Sequence, residues 1–477
     1  MTERALPIAE GAPAAGACCD ACLVASLPAQ VGTVSERPAT AITPANLVVL
    51  EPDRRRSVSR AADRRITLAG IVISAGFVGA AVAAMALPES VRRGLWLPVH
   101  FALAGAAGTA IASVLPFFIT ALSVAPPMGR IVRGGAIALI AGGALAASVG
   151  VAGSVQPVAL AGALSYLAGL GAVSVAAFWP LRNSPRPRRR LVLAAYGAAI
   201  VQVAVGVAII GMMLAGFSPV VERWGLLKPA HAWLNVFGFL SVVVAATLVH
   251  LAPTVAGSRI VPRRSAFVAL GGLVAGAPLV ALGFALSDDR VARLGALVEL
   301  VGASGLVAHA LVVRRDRGRW TTDPGWHRLT SWSLLAAPAW LLVAVATAAG
   351  RILWLGAVPE AWSLGSIAAP LAVGWVIQVL IGAWSQLVPA IGPGDMAAHA
   401  RQRTGLGRAA ARRLVGLNLG VALVTLGGVV GWMPAIMTGV VLGGGVILAS
   451  LAMVVDAART GRADVLSGPP SPAREGG

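Results

Sequence analysis

The sequence predicts an all-α, polytopic membrane protein of about twelve transmembrane helices. Three observations carry that prediction. Of the 477 residues, 57% are hydrophobic and 12% charged, against roughly 45–50% and about 25% in soluble domains, which excludes a soluble globular enzyme. Apolar runs of the roughly 20 residues that a helix needs to cross about 30 Å of hydrocarbon recur along the chain. Lysine and arginine alternate in density between successive loops, as they do when cytoplasmic loops retain positive charge.

Taken in order, residues 1–65 are Ala/Pro/Thr-rich and end in Arg54, Arg55, Arg56, Arg60, Arg64 and Arg65. They are too polar to insert and read as a disordered cytoplasmic tail. No signal peptide is expected, because the first long apolar run begins near Ile66. Residues 66–456 form the membrane domain. Its spans, numbered 1 to 12, are expected at 66–87, 94–122, 134–154, 157–180, 191–215, 229–254, 265–286, 294–313, 329–349, 364–391, 414–431 and 433–456. Residues 457–477 read as a second disordered cytoplasmic tail.

The formal net charge is +19. Nucleic acid is not the expected partner, because the basic residues are scattered between apolar segments and form no stripe. Loops after spans 2, 4, 6, 8 and 10 hold 20 Lys and Arg, and those after the odd-numbered spans hold 7. Both termini are therefore expected in the cytoplasm, with the lipid of the plasma membrane around the bundle. Trp96, Trp224, Trp354, Trp362 and Trp432 lie near the expected outer ends, where amphipathic rings favour the interface. Cys18, Cys19 and Cys22 share the N-terminal tail; they read either as a thiolate site or as an incidental cluster, since a closed zinc site takes four ligands.

Polar groups are costly in hydrocarbon, so those inside the spans are the informative ones. They are His100, Gln202, His231, Asn235, His250, Glu299, His309, Gln378, Gln386 and Asn418. Spans 2 and 6 enter from the same side, which puts His100 and His231 at similar depth. Two imidazoles so placed can form an axial pair on haem iron or part of a copper site. The alternative for each is a core side chain bonded to a backbone carbonyl. His250 follows His231 by 19 residues, about 28 Å along the axis, so one metal cannot take both. His250 and His309 belong near the cytoplasmic end and can pair only if spans 6 and 8 are neighbours. Glu299 reads as a proton carrier, as a partner that orients a histidine, or as a neutral buried carboxyl.

Spans 6 and 10 share a register. Gly238, His250 and Pro253 are spaced as Gly374, Gln386 and Pro389 are, while span 2, with His100, Gly105 and Pro116, matches loosely. A period of four spans, hence three units of four, is the expectation. The stretches His-Ala-Trp-Leu-Asn-Val-Phe-Gly-Phe-Leu, Val-His-Leu-Ala-Pro-Thr-Val-Ala-Gly-Ser-Arg and Trp-Val-Ile-Gln-Val-Leu-Ile-Gly-Ala-Trp-Ser-Gln-Leu-Val-Pro resemble the membrane region of actinobacterial copper-oxidase and nitrite-reductase-like proteins. More distantly they resemble NnrS-type membrane proteins and the catalytic subunit of haem–copper oxidases, over about 65–456.

That resemblance implies haem, with copper as a second candidate, and His100 and His231 as ligands, with His250 as a further metal candidate. Gln378 and Gln386 join Glu299 as candidate proton or supporting groups. The resemblance also implies a role in respiratory or nitrogen-oxide metabolism, served by a separate redox protein. Span 10 departs from the oxidase pattern by having no histidine, so a complete oxygen- or nitric-oxide-reducing centre is not expected. Two other classes stay open: a twelve-span secondary transporter, and a non-catalytic membrane partner of an oxidoreductase.

Overall fold

Twelve helices long and apolar enough to cross a membrane follow one another in the computed structural model, which describes residues 54–123, 126–183, 190–261, 263–317, 323–392 and 395–466. They are Asp63–Ala84, Trp96–Thr120, Arg130–Ala152, Gln156–Arg182, Arg190–Leu214, Trp224–Ala256, Arg264–Leu286, Asp289–Arg317, Gly325–Leu355, Pro359–Ile391, Ala410–Val430 and Met433–Thr460. No strand occurs among the described residues. The protein is an all-α polytopic membrane protein.

The ends of the membrane domain differ from the sequence expectation. The helix that carries span 1 runs Arg54–Ala84, so residues 54–65 are helical and not a structureless tail. The reason is visible at Asp63, which ion-pairs with the buried Arg133 of span 3, and at Thr67, which accepts from the same guanidinium at 2.9 Å. At the other end the last helix continues to Leu466, past the expected stop at 456. An additional helix, Met396–Leu406, sits in the loop after span 10. Asp395 caps it by accepting the Ala398 N–H at 2.8 Å, and that bond holds the Asp395 carboxyl below the usual carboxylate range. The three cysteines lie outside the described residues.

A four-span period organises the packing. The most extensive helix contacts are between spans 3 and 4, 7 and 8, and 11 and 12. Each pair closes through glycine: a Cβ on Gly162 would lie 2.2 Å from the Ala147 backbone nitrogen, one on Gly302 2.5 Å from that of Leu273, and one on Gly439 2.6 Å from the Gly420 carbonyl. Small residues are what let membrane helices approach backbone to backbone.

The second span of each unit is central. Spans 2, 6 and 10 are 67, 72 and 67% buried, and no other span exceeds 50%. All three contain a π-helical segment: Phe101–Ala107, Leu234–Ser241 and Ala369–Ile377. The first of these touches the other two. Within each segment one glycine receives a side chain from the first span of its own unit. Phe77 of span 1 fills the space at Gly105, Gln202 of span 5 that at Gly238, and Trp340 of span 9 that at Gly374. Three units of four therefore share one internal architecture. The loops after odd-numbered spans gather at one end of the bundle, and those after even-numbered spans at the other.

Candidate functional site

Near the odd-loop end, the first two units enclose a cavity of about 740 Å³. Its walls come from spans 2 to 6, and Trp362, Leu364 and Gly365 at the start of span 10 complete it. His100 and His231 both line it. The structure thus brings together the two imidazoles that the sequence places at equal depth.

Each histidine sits just before a π segment: His100 precedes Phe101–Ala107 directly, and His231 lies three residues before Leu234–Ser241. π turns inside α-helices are rare and concentrate at functional sites. Nδ1 of His100 lies 2.8 Å from the Trp96 carbonyl, and Nδ1 of His231 lies 2.7 Å from the Gly206 carbonyl of span 5. A carbonyl only accepts, so Nδ1 carries a proton in both rings, which in the neutral imidazole leaves the lone pair on Nε2. This is the tautomer that metal-ligating histidines adopt when a carbonyl fixes the ring.

Aromatic neighbours hold the rings. Trp96 stacks on His100 with centroids 3.9 Å apart and planes 28° apart, and Trp224 lies 6.4 Å from His231. Asn235, one turn after His231, places Nδ2 3.0 Å from Nδ1 and 3.3 Å from Nε2. Near-equal distances to both nitrogens put the amide over the ring face. It therefore does not occupy the in-plane lone pair of Nε2. Gly206 permits this arrangement, because a Cβ there would fall 2.2 Å from Asn235 Oδ1.

The donor set suits haem. Two imidazoles are a donor set that could hold a haem iron, whose other four ligands come from the macrocycle. For copper bound without a macrocycle, the lining adds the thioether of Met213 to the two imidazoles, and no group of three or more His, Cys, Asp or Glu able to hold a metal occurs among the described residues.

The other sequence-selected residues lie elsewhere. His250 is at the even-loop end of span 6 and does not line the cavity. His309 is buried in span 8, with Nδ1 3.2 Å from Ser265 Oγ of span 7. Spans 6 and 8 are in contact at this end. Glu299 is fully buried, and its carboxyl group is wedged against Gly276 of span 7 with neither oxygen in a well-formed hydrogen bond. Gln378 is fully buried and Gln386 half-buried in span 10; neither lines the cavity. Gln202 donates to the Val274 carbonyl at 3.2 Å, and Asn418 accepts from Trp340 Nε1 at 2.7 Å, so both tie spans together.

Several lining residues escape sequence reasoning: Tyr166, Ser148, Arg93 and Lys228. For Lys228 a signal was present. It is the only lysine in the chain and precedes His231 by three residues, which puts both on one helix face. No protein-family model matches the chain, and comparison with curated proteins finds no match. The architecture alone therefore classifies the protein: an all-α polytopic membrane protein, with two histidines meeting in a cavity between its first two four-span units.

Proposed function

We propose that this is an integral membrane haem protein of respiratory or nitrogen-oxide metabolism, in which His100 and His231 would hold the haem, with electron transfer or metal and nitric-oxide homeostasis as its task. The observation that carries the reading is the pair of Nδ1-tethered imidazoles in one cavity of about 740 Å³. A bound haem would supply a one-electron redox centre. The chain's own part is to fix both tautomers through carbonyls, to orient the rings with Trp96 and Asn235, and to surround the centre with apolar side chains that exclude water.

Copper, the second candidate metal, has less support, because two imidazoles and the Met213 thioether are the only strong ligands among the described lining residues. The excess of arginine in the even-numbered loops supports a cytoplasmic even-loop end, so the cavity faces outward across the cell membrane, with both termini inside. A separate redox protein would then meet the odd-loop face. Glu299, on which a carrier reading turns, does not line the cavity.

The test is the optical spectrum of protein purified from haem-replete cells. The expected result is a Soret band that is lost in His100→Ala and in His231→Ala and kept in His250→Ala. A colourless preparation free of iron and copper overturns the assignment.

A further inference from the structure

We propose that Arg93 and Lys228 form an anion-binding rim that selects a carboxylate-bearing ligand for the cavity. This proposal rests on the haem reading and names the chemical form of haem that the site takes.

Four features of the cavity mouth point to it. Both cations line the cavity, and among the described residues no aspartate or glutamate does. Arg93 is held in the left-handed region at φ 49°, followed by Gly94 at φ 65°. Its guanidinium donates to Ser154 Oγ at 2.6 Å, and Ser154 is itself left-handed at φ 58°. Only four non-glycine residues have positive φ among the described residues, so two of the four hydrogen-bond to each other at this mouth. Helix ends commonly turn left-handed, but on glycine; a non-glycine residue there costs conformational energy that the surrounding structure must offset. The Ser154 bond holds the guanidinium of the cavity-lining Arg93. On the other side of the mouth, the lone lysine shares a helix face with His231.

The lining below the rim is apolar except for the histidines, Asn235, Tyr166 and Ser148, together with the indole of Trp96, Trp224 and Trp362. The complementary ligand has an apolar body, a centre that accepts imidazole nitrogen, and anionic groups at one edge. Iron protoporphyrin IX has that form, and its two propionates would meet the rim. Its dimethyl ester keeps the macrocycle and the iron and removes only the charge.

The experiment titrates the purified, haem-depleted full-length protein in detergent with iron protoporphyrin IX and, separately, with its dimethyl ester, reading the Soret shift. The expected result is at least about fivefold tighter binding of the free acid, the combined worth of two partly exposed ion pairs. In the Arg93→Gln/Lys228→Gln double variant the ratio falls to about one. A second measurement requires no variant: in the wild type, affinity for the acid falls as salt rises from about 50 mM to about 500 mM, while that for the ester holds. Equal affinity of the wild type for acid and ester, or equal salt dependence of both, overturns the rim and leaves the dihistidine site standing. Absence of a Soret shift with either form overturns the haem reading itself, and the rim with it.

Discussion

Arg133 is 1% exposed, and its stability follows from its partners. It pairs with Asp63, donates to Thr67 Oγ1 at 2.9 Å and to the Ser113 carbonyl at 3.1 Å, and so joins spans 1, 2 and 3 at the even-loop end. Breaking a buried pair by removing one partner leaves the other charge uncompensated, at a cost of about 3–5 kcal/mol. Arg133→Met should therefore lower the unfolding midpoint in detergent strongly, and the Asp63→Asn/Arg133→Met double variant should recover part of the loss. A double variant no more stable than the single one removes the argument. Arg413 has an equivalent place at the start of span 11, donating to the Leu406 carbonyl at 2.8 Å and to Ser450 Oγ at 3.1 Å. From sequence these two arginines look like ordinary loop charges. Burial depends on which neighbours supply acceptors, and spacing along one chain carries no record of that.

Among the elements, the glycine-closed hairpins have the sharpest consequences. Gly142 and Gly143 are adjacent in span 3. A Cβ on Gly143 would lie 2.6 Å from the Tyr166 backbone nitrogen, whereas one on Gly142 meets nothing within 4 Å. Gly143→Ala must therefore separate spans 3 and 4, at a cost of about 1–3 kcal/mol. Gly142→Ala gains helix propensity and should be neutral or stabilising by up to about 1 kcal/mol. Thermal unfolding of the two variants in one detergent decides it; equal midpoints sink the close-packing account. All twelve spans were legible, because hydropathy at a membrane-length period leaves little choice of conformation. The π segments were not legible. Gly105, Gly238 and Gly374 mark them, yet a glycine in a span reads equally well as a helix contact. The charged turns at 54–65 also misled, since their polarity excludes insertion without excluding helix.

For the whole molecule, the threefold recurrence was visible in outline from the Gly-His-Pro and Gly-Gln-Pro registers of spans 6 and 10. The placement of the cavity was not, because hydropathy fixes which residues cross a bilayer and says nothing about which crossings are neighbours. Orientation is open to a direct test. In a variant lacking Cys18, Cys19 and Cys22, Glu222→Cys at the odd-loop end should react with a membrane-impermeant maleimide added to intact cells. Arg259→Cys at the even-loop end should react only after lysis. Both positions are exposed. The opposite labelling pattern inverts the orientation and turns the cavity inward.

The π segments also affect any attempt to map this bundle by scanning. A backbone bonded i to i+5 has more residues in each turn than one bonded i to i+4. Stretches of seven, eight and nine residues wound this way shift the angular phase of whatever follows. A helical wheel drawn uninterrupted through span 2, 6 or 10 is thus correct on one side of the segment and rotated on the other. Two sensitive stripes, offset where the winding changes, are the pattern to expect along each of these three spans.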